Sequence, residues 1–248
     1  VPVVALTEIF RQSMKSLIVT NAHKIVKGEM PDLNIHNKDF FFLPCSSADK
    51  ITETIIGLCK DRLPKSYGYS AMTDIQVLCP GRKGLLGVIE LNKKLQEVLN
   101  PPIGTNLGLN IGTYSLRYGD KVMQIRNNYD LIWTRGDDDD GEGVFNGDIG
   151  IVVRVNSKAG TVSVKFDDKL VEYDRESVRD LELAYATTVH KSQGNEFEAV
   201  IMPMFRGAPQ LYYRNLLYTG VTRAKKLLIL VGTPVSYTHL TLPTTSRV

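Results

Sequence analysis

The hydrophobic pattern of this chain changes its period twice, and that double change limits the possible folds more than any other feature. Up to about residue 111, short unbroken apolar runs alternate with amphipathic stretches. Residues 39–43 (DFFFL) and 75–79 (IQVLC) have the form of strands covered on both faces of a parallel sheet. Residues 16–27 carry Leu17, Ile18, Ala22 and Ile25 at near-helical spacing, and Gly28 and Pro31 stop them. A second helical stretch spans 49–63 and ends at Pro64. A third spans 87–99, with Leu91, Leu95 and Leu99 at i, i+4, i+8 before Pro101-Pro102. Strands alternating with helices predict a parallel α/β sheet.

From about Gly112 the period becomes two. Ile151, Val153 and Val155 alternate with Val152 and Arg154; Val162, Val164 and Phe166 alternate with Ser163 and Lys165, across a turn-rich link at 156–160. Residues 122–125 and 170–173 read as further strands. Several short strands with no helix between them predict a small antiparallel β-barrel of about 65 residues. After Asp180 the α/β pattern resumes. The expected organisation is one α/β domain (1–111 and 181–235), an inserted barrel (112–180), and a tail (236–248) outside the fold. The tail lacks either period and is read as artefactual.

The chain has 248 residues, 43% of them hydrophobic and 23% charged. These proportions fit a globular chain and exclude a disordered polyelectrolyte, a collagen-like fibre and a coiled coil. No apolar run approaches the length of a membrane helix, and no membrane partner is expected. The opening Val1-Pro2-Val3 without methionine is read as the start of a fragment. The net charge of +3 permits a nucleic-acid partner without demanding one. Cys45, Cys59 and Cys79 form no C-x-x-C pair, so zinc and a disulfide framework are not expected, and free thiols in a reducing cytoplasm are. The acidic run 137–142 fails the twelve-residue calcium-loop test, with Glu142 where glycine is required, and is read as a solvated loop.

Two stretches carry chemistry. In 183–197 (LAYATTVHKSQGNEF) an apolar strand ends in Thr187 and Thr188, and His190, Lys191, Gly194 and Glu196 follow. Strand-end hydroxyls ahead of an expected helix start offer donors to an anion, at the sheet edge where open α/β folds bind ligands. The competing reading is a capped surface turn. In 212–232 (YYRNLLYTGVTRAKKLLILVG) a helix with Tyr213, Leu217 and Val221 on one face ends at Arg223. An arginine there can donate bidentately to phosphate or merely complement the helix dipole. Lys83, in the turn Gly81-Arg82-Lys83-Gly84, is either a phosphate contact or a solvated turn residue.

The wording AYATTVHKSQGNEF resembles motif V, and NLLYTGVTRAKK motif VI, of superfamily 1 helicases, with the RecD-like DNA helicases nearest. Lesser matches lie at 6–12 (LTEIFRQ), at Asn21-Ala22-His23, at 81–87 with Leu91-Asn92 and Leu95-Gln96, and at Gly119-Asp120-Lys121-Val122. The resemblance implies the second of two RecA-like motor domains, interrupted by an SH3-like barrel, with ATP in the cleft between the domains and single-stranded DNA across their tops. By that resemblance Arg11 corresponds to the motif IV arginine that reaches the γ-phosphate, with Gln12 beside it at the nucleotide. Arg223 is the motif VI arginine finger. Gly194 and Glu196 border the nucleotide, while Thr187, Thr188, His190, Lys191 and Lys83 face the DNA backbone. Asn21 and His23 are given to helix packing and local hydrogen bonding.

The sequence contains no G-x-x-x-x-G-K-[ST] phosphate loop and no apolar strand ending in Asp-Glu. By the resemblance, those parts hold ATP and Mg²⁺ in the first RecA-like domain, which makes that domain a required partner and predicts no turnover by these residues alone. The function expected is the C-terminal motor domain of an ATP-dependent, 5′-to-3′ DNA helicase in repair or recombination. Three alternatives stay open: a non-catalytic DNA-binding or partner-docking module with the barrel as its surface, the helicase part of a conjugative relaxase, and an RNA helicase.

Overall fold

The computed structural model describes residues 16–33, 39–102, 104, 108–136, 139–205 and 214–233. Arg11, Gln12, Tyr213 and the tail 236–248 lie outside the described residues.

The α/β part begins with helix α1 (Leu17–Lys27), whose buried face is Leu17, Ile18, Asn21, Ala22 and Ile25. Gly28 ends it in the left-handed region at φ +77°, where its N–H reaches the last turn's carbonyls and a side chain would be strained. Buried Asn21 accepts from the Asp32 N–H at 2.8 Å and pins the returning chain to the helix. Strand β1 (Phe40–Pro44) follows, and then helix α2 (Ala48–Gly57), capped by Ser47 through the Lys50 N–H. Pro64 does not end this helical run. A π-helical turn at Leu58–Arg62 carries it into a short helix α3 (Leu63–Tyr67), and the stop is Gly68 at φ +72°. Proline lacks an N–H and its ring crowds the carbonyl four residues back; the wider turn ahead of it accommodates both, and proline is tolerated at the start of the new helix.

Strand β2 (Ile75–Cys79) is buried at every position, and helix α4 (Val88–Leu99) packs Leu91 and Leu95 inward. Next come a small hairpin, β3 (Leu109–Ile111) and β4 (Tyr114–Leu116), and the antiparallel strands β5 (Lys121–Gln124), β6 (Asn128–Arg135), β7 (Asp139–Val144), β8 (Ile149–Asn156), β9 (Thr161–Phe166), β10 (Lys169–Tyr173) and β11 (Leu181–Leu183). The α/β part then resumes with β12 (Ala186–Thr188), β13 (Phe197–Met204), helix α5 (Arg214–Val221) and β14 (Ala224–Gly232).

The parallel sheet runs β1-β14-β13-β2-β12. Alternate residues of its inner strands face opposite layers. Val200, Met202, Leu228 and Leu230 pack with α1 and α5, whereas Ala199, Ile201, Leu227 and Ile229 pack with the side that holds α2 and α4. This explains the unbroken apolar runs, because a strand with helices on both faces has no solvent side.

The second sheet runs β11-β5-β8-β9-β10-β6-β7, and its core is continuous with the α2/α4 side of the first. Among the described residues no ladder joins β7 to β11, so a closed barrel is not formed by hydrogen bonds. The sheet nevertheless curls. The Tyr173 hydroxyl on β10 donates to Gln124 Oε1 on β5 at 2.9 Å, although three strand spacings would hold these strands about 14 Å apart in a flat sheet. The acidic run is a strand rather than a loop from Asp139 onward. Arg135 lies opposite Asp139 in the ladder and pairs with Asp139 at 3.3 Å and Asp168 at 2.9 Å, which allows carboxylates on an exposed edge strand.

Candidate functional site at the two edges of the parallel sheet

All five strands of the parallel sheet point the same way, so it has a carboxyl edge and an amino edge, and the expected site residues divide between them. At the carboxyl edge β12 and β2 end together, with Thr188 opposite Cys79 and the Val189 N–H donating to the Cys79 carbonyl at 3.0 Å. Thr188 is half-buried, and its hydroxyl accepts from the Lys191 N–H at 3.3 Å. His190 is exposed beside it. Thr187 points inward instead: it is buried, and its hydroxyl accepts from Gln76 Nε2 at 3.4 Å. Lys191 reaches Glu182 at 3.3 Å, and Arg82 holds the same carboxylate through two bonds of 3.0 and 2.7 Å. Burial works against the Glu182 charge, but Arg82 and Lys191 outweigh it and hold the carboxyl below its ordinary range. This cluster ties the 80–87 loop to the 188–191 turn and leaves Lys83 exposed on that loop.

No helix follows Thr188. Residues 189–194 form consecutive turns, with the Ser192 hydroxyl buried on the Val189 carbonyl at 2.7 Å and Gly194 at φ +91°. A helix filling the whole connection would be too short. Strand register puts Phe197 six residues below the level of Thr188, a drop of about 20 Å at strand rise. The nine steps between them would span only about 14 Å as a helix. The segment therefore descends from one edge to the other in turns over 189–194 and without regular structure at 195–196.

At the amino edge it meets Arg223. The Phe197 N–H donates to the Arg223 carbonyl at 2.9 Å, and the guanidinium returns a bond from Nη1 to the Asn195 carbonyl at 3.2 Å. Its other donors go to the Thr219 carbonyl at 3.2 Å and the Thr222 hydroxyl at 3.3 Å. Among the described residues these partners are two carbonyls and a hydroxyl, none of them a carboxylate. A half-buried guanidinium whose described partners are all neutral fits an anionic ligand such as a nucleotide phosphate. Gly194 and Glu196 are exposed on either side of Asn195, whose carbonyl binds Arg223, while Thr188 and His190 lie at the other end of the same connection. No cluster of three or more His, Cys, Asp or Glu among the described residues is placed to hold a metal.

The sequence singled out Asn92, Gln96, Asp120 and Lys121 only as motif matches and gave them no role; in the structure they join the two sheets. Fully buried Asp120 takes four donors. Its Oδ1 accepts from Asn100 at 2.7 Å and the Tyr185 hydroxyl at 2.8 Å; its Oδ2 accepts from Gln96 at 2.6 Å and the Arg117 N–H at 2.7 Å. Burial raises this carboxyl and the four donors pull it back. Next to it Lys121 is enclosed, donating to the Ile75 carbonyl at 3.0 Å, 5.9 Å from the Phe197 ring centre, and burial lowers its ammonium to about 8. Asn92 donates to the Leu183 and Ala186 carbonyls at 2.8 and 2.9 Å and accepts from the Ala186 N–H at 2.7 Å. Polar residues at core-facing positions of α4 were the available signal.

Residues 91–166 match the family described as the ATP-dependent RecD-like DNA helicase SH3 domain, and residues 183–231 match the UvrD-like helicase C-terminal domain. The ATP-dependent RecD2 DNA helicase of Deinococcus radiodurans is 32% identical over 229 residues, covering 90% of this chain and 28% of that protein. The RecBCD enzyme subunit RecD of Buchnera aphidicola is 32% identical over 212 residues, covering 77% of this chain and 32% of that protein. The chain thus spans about a third of the length of these curated relatives. A crystal structure of Pif1 helicase from Bacteroides in complex with ADP-AlF3 and ssDNA shares the fold at TM-score 0.54 and 18% identity, covering 97% of this chain and 54% of that one.

Proposed function

We propose that this chain, which belongs to the RecD-like DNA helicase family, acts as the second RecA-like motor domain of an ATP-dependent DNA helicase of 5′-to-3′ polarity, working in the cytoplasm on DNA repair or recombination. The motor part comprises 1–111 and 181–235, and 112–180 form the SH3-like insertion, a surface open to a protein partner. Single-stranded DNA lies along the carboxyl edge, where Thr188, His190, Lys191 and Lys83 meet phosphates without reading bases. Buried Thr187 supports that edge from inside. ATP and Mg²⁺ are held mainly by a phosphate-loop domain that these residues do not contain. Arg223, with Arg11 and Gln12, completes the nucleotide site from this side, and Gly194 and Glu196 border it.

The observation that supports this reading is the single connection 188–197. One end of it lies at the carboxyl edge and the other is hydrogen-bonded to Arg223. When ATP is bound it supplies the transferable phosphoryl group. Arg223 can turn from its neutral partners to the developing negative charge, a contribution worth about 10³-fold or more for an arginine finger. In an enzyme that carries this chain together with its phosphate-loop domain, Arg223→Ala lowers the DNA-stimulated kcat by about that factor while nucleotide affinity changes only a few-fold. Near-normal hydrolysis by that variant removes the assignment.

A further inference from the structure

Asn195 joins the two sheets at the point where Arg223 is held. Its side-chain Nδ2 donates to the Gly147 carbonyl at 3.0 Å, and its own carbonyl accepts from the guanidinium at 3.2 Å. Gly147 lies in the 145–148 turn of the inserted sheet, at φ +103°, and the turn is firmly built. The Gly147 N–H donates to the Gln124 carbonyl at 2.9 Å, the Phe145 N–H to Asp148 Oδ2 at 2.8 Å, and the Asn146 N–H to Asn127 Oδ1 at 2.8 Å. Gln124 in turn accepts from the buried Tyr173 hydroxyl at 2.9 Å. A contiguous run of hydrogen bonds and covalent backbone therefore leads from the core of the insertion to the Arg223 guanidinium.

The other two acceptors of Arg223, the Thr219 carbonyl and the Thr222 hydroxyl, belong to the end of its own helix and move with it. Among the described residues, the Asn195 carbonyl is the one acceptor that fixes the guanidinium relative to anything else. That carbonyl sits on an exposed turn, one residue from Gly194. Within the turn it is held by the Asn195 N–H on the Ser192 carbonyl at 3.1 Å. The side-chain bond to Gly147 ties it to the inserted sheet, as the Phe197 N–H bond to the Arg223 carbonyl ties the segment's end to the parallel sheet.

We infer that Asn195 is a positioning residue for Arg223. Its amide anchors the 193–196 turn to the inserted sheet, and its carbonyl thereby aims the guanidinium at the nucleotide. The insertion is then a brace for the ATP side of the motor. This inference rests on Arg223 acting as the arginine finger, and the two can be tested apart.

In the 248-residue chain, nitrogen-15 NMR of the Arg223 guanidinium reads its immobilisation directly. The native chain should show hindered rotation of the η-nitrogens, and Asn195→Ala should release it without moving the melting temperature by more than a few degrees. Asn195→Asp, which keeps the shape and loses the donor, should behave like Asn195→Ala, whereas Asn195→Gln, which keeps the donor, should recover part of the restraint. In the enzyme with its phosphate-loop domain, Asn195→Ala and Asn195→Asp should lower kcat about tenfold with KM for ATP within twofold, and Asn195→Gln should restore part of kcat. An unchanged guanidinium signal, or a kcat loss that Asn195→Gln does not relieve, overturns the positioning role. A released guanidinium in an enzyme whose turnover survives Arg223→Ala overturns the finger reading and leaves the tether standing.

Discussion

The root of the inserted sheet and the turn beside Arg223 are both places where the two sheets meet, and they are built on opposite plans. At the root a buried carboxylate has both oxygens doubly bonded, a buried lysine is enclosed beside it, and Asn92 stitches β11 to β12. At the turn the residues are exposed or half-buried, and among the described residues one side-chain hydrogen bond crosses between the sheets, Asn195 to Gly147. A buried polar network is costly to break in part, because each partner left behind keeps its desolvation penalty. A neutral bond near solvent, such as that from Asn195 to Gly147, is worth about 1 kcal/mol or less and can be exchanged for water. The insertion is thus fixed firmly at its root and held more lightly at the turn.

The largest effect should come from the root. Asp120→Ala strands four donors in the interior, and a loss of about 4 kcal/mol in urea unfolding is expected from breaking a buried charged network. Asp120→Asn keeps one acceptor oxygen and should cost less. A loss below about 1 kcal/mol for Asp120→Ala would erase the contrast between the two junctions. Asn92→Ala comes next, at about 2–3 kcal/mol for three buried bonds to backbone. Amide exchange at Ala186 should speed up with it, since that N–H donates to Asn92.

Lys121 sharpens the contrast by titration. Its ammonium is lowered by burial from 10.5 to about 8, and the Asp74 carboxylate opposes the shift; the buried Cys59 thiol beside it is itself raised to about 12 and stays neutral. A lysine with a depressed folded value destabilises the fold while it stays charged. That cost is fully present below about pH 8 and is relieved as pH rises toward the unfolded value. Lys121→Met lacks the charge at every pH. The stability gap between this variant and the native chain should therefore shift in the native chain's favour by about 1 kcal/mol between pH 7 and pH 9. A gap independent of pH would mean that water reaches the ammonium and the root is looser than its hydrogen bonds imply.

The sequence carried the layers and not the junctions. Strand β2 and the inward leucines of α4 were legible because a run covered on both faces, or a stripe at i, i+4, i+8, has only one way to be buried. Pro64 misled because a π-helical turn is a local remedy that no period announces. The helix expected after Thr188 failed for a reason outside the segment: the register of β12 and β13 on either side of β2 sets the distance to be crossed. The motif wording selected Arg223, Gly194 and Glu196 as a group, and Arg223 binds the carbonyl of the residue between the other two. Asn195 stands inside the same wording, yet its partner Gly147 is 48 residues away, and nothing local distinguishes that glycine from its neighbours. Thr187 and Thr188 look alike in sequence, and only the pleat sends one hydroxyl inward to Gln76.

The smallest effect on stability belongs to Lys191 at the carboxyl edge, and it tests the proposed DNA contact. Its bond to Glu182 is 3.3 Å long, and Arg82 already holds that carboxylate through two shorter bonds. Lys191→Ala therefore leaves Glu182 paired and should cost under about 1 kcal/mol, as partly exposed ion pairs do. The same redundancy lets Lys191 leave Glu182 for a phosphate at little cost. Binding of oligothymidylate by Lys191→Ala should then weaken a few-fold, with the slope of log K against log salt shallower by about 0.7, the signature of one phosphate contact to a single strand. Lys191→Arg should keep the native slope. An unchanged slope would place Lys191 permanently in the ion cluster and move the DNA contact to its exposed neighbours, His190 and Lys83.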